Sequence, residues 1–250
     1  MMLLSTLVLF IAGFVGGALI AVAGGGTFIT FPALVFVGVP ALSANASSAV
    51  ALFPGNLTSA WAYRRDILGI RDIDMRLFAG LSVVGSLLGA ILLLETPIKI
   101  FSGLVPWLML FATIIFALAN FTRLENLRHF RLGRGASRVA MFLMAVYGGY
   151  FGAGLGFMML AVLTLLGMRD IHAMNGLKLV LAALMSIVSV FTYSLAGVVY
   201  WGAAIPVLIG GLAGGYIGAR AARRIEPRIL KAFIVLLGAG LTIFFFWHGA

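Results

Sequence analysis

Cysteine is absent from this chain of 250 residues, which excludes a disulfide framework, a thiolate nucleophile and cysteine-ligated zinc or iron–sulfur centres. Acidic side chains are scarce as well. Asp and Glu number seven in all, and none lies deep inside an apolar run, so neither paired acids for catalysis nor a carboxylate proton relay is at hand within a membrane. His129, His172 and His248 fall in loops, at segment edges or at the C-terminus and are unpersuasive as catalytic groups. Charged residues of both signs make up only 10% of the chain, against about a quarter in ordinary soluble domains. Hydrophobic residues fill the space instead, at 63%, with a mean hydropathy of +1.17. A soluble fold has no interior large enough to hide that surface, so the bilayer is the expected solvent. The stretch 1–23 lacks a basic n-region and a small-residue cleavage site before a polar domain, and is expected to remain as a helix.

The formal net charge of +10 does not call for nucleic acid. Lys and Arg collect in cytoplasmic loops of membrane proteins, and topology explains most of them here. Apolar segments expected to cross the roughly 30 Å of hydrocarbon cover 1–23, 44–63, 73–94 and 98–119, then 139–150, 173–195, 201–219 and 229–247. Two shorter stretches, 27–38 and 155–167, are too short to span alone. Each follows a glycine cluster, Gly24-Gly25-Gly26 and Gly152-Ala153-Gly154-Leu155-Gly156. Such clusters fit a tight helix crossing or a broken helix whose free backbone groups line a polar site.

An internal repeat runs at an offset of 130 residues: Asn45 aligns with Asn175, Tyr63 with Tyr193, Gly80 with Gly210, Gly85 with Gly215, Pro97 with Pro227 and Gly26 with Gly156. The charges indicate opposite orientations. Arg64, Arg65, Arg71 and Arg76 follow the second long segment, while the matching loop after Leu195 is uncharged; Arg220, Arg223, Arg224, Arg228 and Lys231 crowd the place where the first copy has little positive charge. Arg123, Arg128, Arg131, Arg134 and Arg138 lie between the copies. Placing these loops in the cytoplasm gathers all of the 17 basic residues there except Lys99 and Lys178, and leaves both termini outside it. The expected architecture is therefore an all-α polytopic membrane protein of two inverted-topology repeats, with about eight transmembrane helices plus glycine-broken short helices. Its parts are a first repeat over 1–120, a basic cytoplasmic linker over 121–138 and an inverted repeat over 139–250. That pattern recurs in secondary transporters, with substrate held between the halves.

Asn45, Ser48, Asn56 and Ser59 share one helical face, and Asn175, Lys178, Ser186 and Ser189 repeat the spacing. A single serine in lipid can satisfy itself on its own backbone; paired stripes headed by asparagine suggest a site. Lys178 either snorkels to the membrane edge or faces a cavity and attracts an anion. Helix N-termini after the glycine clusters would add positive dipole ends. The expected substrate-binding set is Gly24, Gly25, Gly26, Thr27, Asn45, Ser48, Asn56, Gly154, Gly156, Asn175, Lys178 and Ser186, with no catalytic residue, metal or cofactor. Pro54 and Pro206 lie inside expected helices, and Trp61, Trp107, Trp201 and Trp247 read as interfacial anchors.

The run Gly24-Gly25-Gly26-Thr27-Phe28-Ile29-Thr30-Phe31-Pro32-Ala33-Leu34, with Asn45-Ala46-Ser47-Ser48 and Ala60-Trp61-Ala62-Tyr63-Arg64-Arg65, resembles the sulfite exporter TauE/SafE family. Gly210-Gly211-Leu212-Ala213-Gly214-Gly215-Tyr216-Ile217-Gly218-Ala219-Arg220 is similar to that family's late helix. The resemblance covers almost the whole chain. It implies a multi-pass permease of the bacterial inner membrane for small inorganic or organic sulfur anions such as sulfite, thiosulfate or organosulfonates, with the bilayer as its other partner and a homo-oligomer left open. Gly152, Gly154 and Gly156 alternate with Ala153 and Leu155 where family members often have a denser glycine run. The competing readings are an anion channel or a helper subunit without carrier activity of its own.

Overall fold

A computed structural model describes residues 2–22, 25–62, 73–121, 133–168, 170–221 and 227–249, which hold ten α-helices. In chain order these are α1 (Met2–Val22), α2 (Thr27–Phe36), α3 (Ala41–Ala62), α4 (Met75–Glu95) and α5 (Ile98–Phe121). The second set is α6 (Arg134–Tyr150), α7 (Leu155–Leu165), α8 (Ile171–Leu195), α9 (Trp201–Ala221) and α10 (Pro227–His248). Each expected apolar segment becomes one helix. The chain is all-α and polytopic, and among the described residues four helices are long and apolar enough to cross a membrane, within Leu3–Ile20, Met75–Glu95, Ile98–Ile115 and Ala173–Leu195.

Local chemistry sets the ends. α6 begins five residues before the apolar run from Val139, because Ser137 returns its hydroxyl to Gly133 O at 2.9 Å and the first turn carries Arg134 and Arg138, which hydropathy does not register. Asp74, which the run from 73 takes in, is the N-cap of α4 and accepts from Leu77 N at 3.1 Å. The short helices α2 and α7 stop alike: Val39 N reaches Leu34 O at 3.1 Å, Met168 N reaches Leu163 O at 3.2 Å, and the left-handed glycines Gly38 and Gly167 make the turn. At 10 and 11 residues they rise about 15 Å, half a bilayer. Pro54 and Pro206 sit inside continuous helices. Trp61 and Trp201 stand exposed at helix ends, and Trp247 one residue from the end of α10; Trp107 lies well inside α5, edge-on to Phe246.

Lipid offers helices no hydrophobic drive to associate, so close backbone packing has to hold them. α1 packs along α9, and α4 along α6. Gly13 and Gly17 of α1 meet Val207 and Gly211, while Gly210 and Gly214 of α9 meet Phe10 and Phe14; a Cβ at any of these four glycines would collide with a carbonyl oxygen. These are two facing Gly-x-x-x-Gly ridges, the spacing that lets backbones touch. Between the pairs, α3 and α8 cross each other, α3 against α9 and α8 against α4, while α5 packs on α10. The helix contacts occur in matching sets: α1 on α2 and α6 on α7, α2 on α3 and α7 on α8, α5 on α7 and α10 on α2.

Candidate functional site

The polar stripes lie on the two central helices, and they meet where α3 crosses α8. Asn56 Nδ2 donates to Ser186 Oγ at 3.0 Å. Beside that contact is a cavity of about 80 Å³, room for on the order of half a dozen water-sized groups. Gly26 and Thr27 reach its wall from the start of α2, and Gly152, Leu155 and Gly156 from the start of α7. α8 supplies Lys178, Ser186 and Ser189.

Lys178 is 3% exposed and its Nζ donates to Asn175 Oδ1, one turn back on α8, at 3.0 Å. It lines the interior cavity instead of snorkelling to an edge. Among the described lining residues it is the only ionisable one. The carboxylate nearest to it along the chain, Asp170, accepts from Ala173 N at 3.3 Å at the start of α8. Burying a cation among apolar walls costs several kcal/mol unless polar groups or an anion compensate. One acceptor, Asn175, is present; hydroxyls from Ser186 and Ser189 and the amide of Asn56 line the same space. α2 and α7 both begin at the cavity wall and turn the positive ends of their helix dipoles toward it, although most first-turn N–H groups are taken, Phe28 N by Gly25 O, Ile29 N by Gly26 O, Leu155 N by Gly152 O and Phe157 N by Gly154 O.

Of the residues expected to bind substrate, Gly26, Thr27, Asn56, Gly156, Lys178 and Ser186 line the cavity together, and Asn175 reaches it through Lys178. The others are engaged elsewhere. Asn45 is 2% exposed and donates to Tyr150 O at 2.8 Å, its Oδ1 buried without a protein partner. Ser48 is paired with Thr30 at 2.6 Å, and Thr30 donates onward to Gly26 O at 3.2 Å. Gly25 is buried and accepts from Phe28 N, and Gly154, at φ +72°, is the N-cap of α7 against Phe28 and Ala112. Gly24 lies outside the described residues. Ser189 belongs to the stripe but not to the expected set, and its equal spacing was the signal for it. Phe151 lines the cavity too, and an apolar residue in an apolar sequence carries no such signal.

Four pairs of lining residues stand 130 positions apart: Gly26 and Gly156, Ala49 and Leu179, Leu52 and Ala182, Asn56 and Ser186.

A family model described as "Sulfite exporter TauE/SafE" matches residues 9–245. A "Probable membrane transporter protein" of Haemophilus influenzae is 29% identical over 241 residues, covering 94% of this chain and 92% of the relative. A "Probable membrane transporter protein ORF9" of Sinorhizobium sp is 28% identical, with 94% and 90% covered. The "Probable membrane transporter protein YfcA" of Escherichia coli K12 is 26% identical over 237 residues, with 94% and 87% covered. No solved structure matches the chain.

Proposed function

The chain belongs to the sulfite exporter TauE/SafE family, and from that premise we propose that it exports a small sulfur-containing anion by alternating access between two inverted halves. The family is one of transporters, not enzymes, and the protein is a multi-pass protein of the bacterial inner membrane. Sulfite, thiosulfate and organosulfonates are the substrates we put forward.

The observation that carries this reading is the cavity itself. Residues paired by the repeat offset line it on both sides, as they must where a pseudo-two-fold axis passes through. The matching helix contacts support the same axis: α1 with α9 corresponds to α6 with α4, and α3 with α9 to α8 with α4. In an inverted repeat that axis lies in the membrane plane, and rocking one half against the other exposes the site to each side in turn. About eight helices then cross the bilayer, with α2 and α7 reaching only part way. Lys178 supplies the charge that draws the anion, Asn56, Ser186 and Ser189 offer hydrogen bonds, and Gly26 and Gly156 let the anion approach backbone N–H groups. A negative cell interior expels an anion with about 2.3 kcal/mol per charge per 100 mV, so facilitated export needs no coupled ion.

Counterflow in proteoliposomes containing only this protein, across sulfite, sulfate, thiosulfate, taurine and sulfoacetate, tests the reading. Saturable exchange of a sulfur anion, lost in Lys178→Met, is the expected result. Flux that rises linearly with concentration would make it a channel, and no flux at all would leave the helper role.

A further inference from the structure

Phe151 is the only aromatic side chain among the described residues lining the cavity, and what lies behind it has a direction. α2 runs from the cavity at Thr27 to the turn at Gly38, and Phe31 sits one turn along that path. Phe101 lies at the start of α5, just after the turn at Thr96, whose hydroxyl is 3.3 Å from the hydroxyl of Tyr150, the neighbour of Phe151. Phe151 packs edge-on against Phe31 with centroids 5.5 Å apart, and touches Phe101 at 6.5 Å and Tyr147 at 6.4 Å. Phe31 and Phe101 are fully buried. These rings therefore stand between the cavity wall at Phe151 and the turns at Gly38 and Thr96.

The short turn bearing Phe151 is tied down from three sides. Tyr193 of α8 donates its hydroxyl to Gly149 O. Asn45 of α3 donates to Tyr150 O at 2.8 Å. Tyr147 donates to Ala153 O at 2.8 Å, closing the turn on itself. These bonds fix backbone carbonyls and not the ring, so they hold the plug's position without filling the path. Gly152 and Gly154, both at positive φ, give the segment a backbone that can re-form in another shape. The repeat-related position to Phe151 is Ala21, so the other half has no equivalent ring.

We propose that the α6–α7 turn is the gate on the face of the turns at Gly38 and Thr96, which the inverted arrangement puts outside the cytoplasm, with Phe151 as its plug and Tyr193 as the latch that holds it shut. The proposal rests on the alternating-access reading above and adds the element that closes one side.

Because the chain has no cysteine, a single introduced thiol reports without background. Ser189→Cys places it on the cavity wall. The probe is the small, anionic, membrane-impermeant reagent (2-sulfonatoethyl) methanethiosulfonate, added outside intact cells, with unreacted thiol measured after denaturation. Slow reaction is expected in Ser189→Cys alone and at least ~10-fold faster reaction once Phe151→Ala is added. Tyr193→Phe, which removes one hydroxyl and leaves the packing, should give a smaller rise and keeps the test decisive if Phe151→Ala does not fold. Unchanged reaction rates in Tyr193→Phe and in a folded Phe151→Ala overturn the gate. The readout needs no transport, so absent anion flux in liposomes counts against the transport reading alone.

Discussion

Asn56 and Ser186 hydrogen-bond across the crossing of α3 and α8, and they stand 130 residues apart, the interval at which the sequence pattern repeats. Equivalent residues touch each other only on the axis that relates their two copies. The contact therefore marks the centre about which the proposed halves turn, and it borders the cavity.

A double-substitution cycle tests that contact. Asn56→Ala and Ser186→Ala should each lower thermal stability in detergent modestly, with a coupling of about 0.6 kcal/mol, as for other hydrogen bonds between membrane helices. Counterflow should fall at least ~10-fold in either variant. Strictly additive stability effects would remove the bond from the account.

Lys178→Met should abolish anion exchange, a loss of ~100-fold or more, while leaving thermal stability equal or higher. Replacing a buried cation by an apolar side chain of similar length relieves its desolvation. Asn175→Ala, which deprives the ammonium of its one observed acceptor, should weaken exchange by roughly 3- to 10-fold on the scale of one charge-assisted hydrogen bond. A Met variant that unfolds several degrees lower would make the lysine structural.

Gly80 and Gly210 align in the repeat yet differ in surroundings. A Cβ at Gly210 collides with Phe10 O of α1, whereas one at Gly80 meets nothing within 4 Å. Gly210→Ala should cost about 1–3 kcal/mol through overpacking, and Gly80→Ala should be neutral or stabilise by up to ~1 kcal/mol through helix propensity. Thermal unfolding of the purified variants gives both signs.

Under the inverted arrangement both chain ends lie outside the cytoplasm. A reporter enzyme active only in the periplasm, fused after Ala250, should be active, and one inserted in the basic segment 121–138 should be silent. Activity from the inserted fusion would refute the orientation.

Helices were the legible part of this sequence, since each long apolar run became one; the least accurate start, that of α6, has a polar first turn that hydropathy passes over. The site was only half legible. A stripe at 3.6-residue spacing gives an angle around a helix but no depth along it. Asn45 and Asn56 share a face of α3, yet the eleven positions that separate them rise about 16 Å, so one is bonded to Tyr150 O and the other borders the cavity. Lys178 was readable because a cation in an apolar run is costly wherever it points. Phe151 was not, because its role follows from the rings of α2 and α5 that the fold brings beside it.

Ser48 occupies in the first half the place that Lys178 has in the second, and its hydroxyl is turned to Thr30. At this pair of repeat positions the proposed halves thus differ in charge. Under the proposed alternating access, a swing with nothing bound would move the Lys178 ammonium relative to both surfaces, so that the two idle poses would respond differently to a field across the membrane. Membrane voltage would then bias which pose predominates, giving the proposed carrier, when empty, a built-in rectification that a charge-symmetric duplicate would lack.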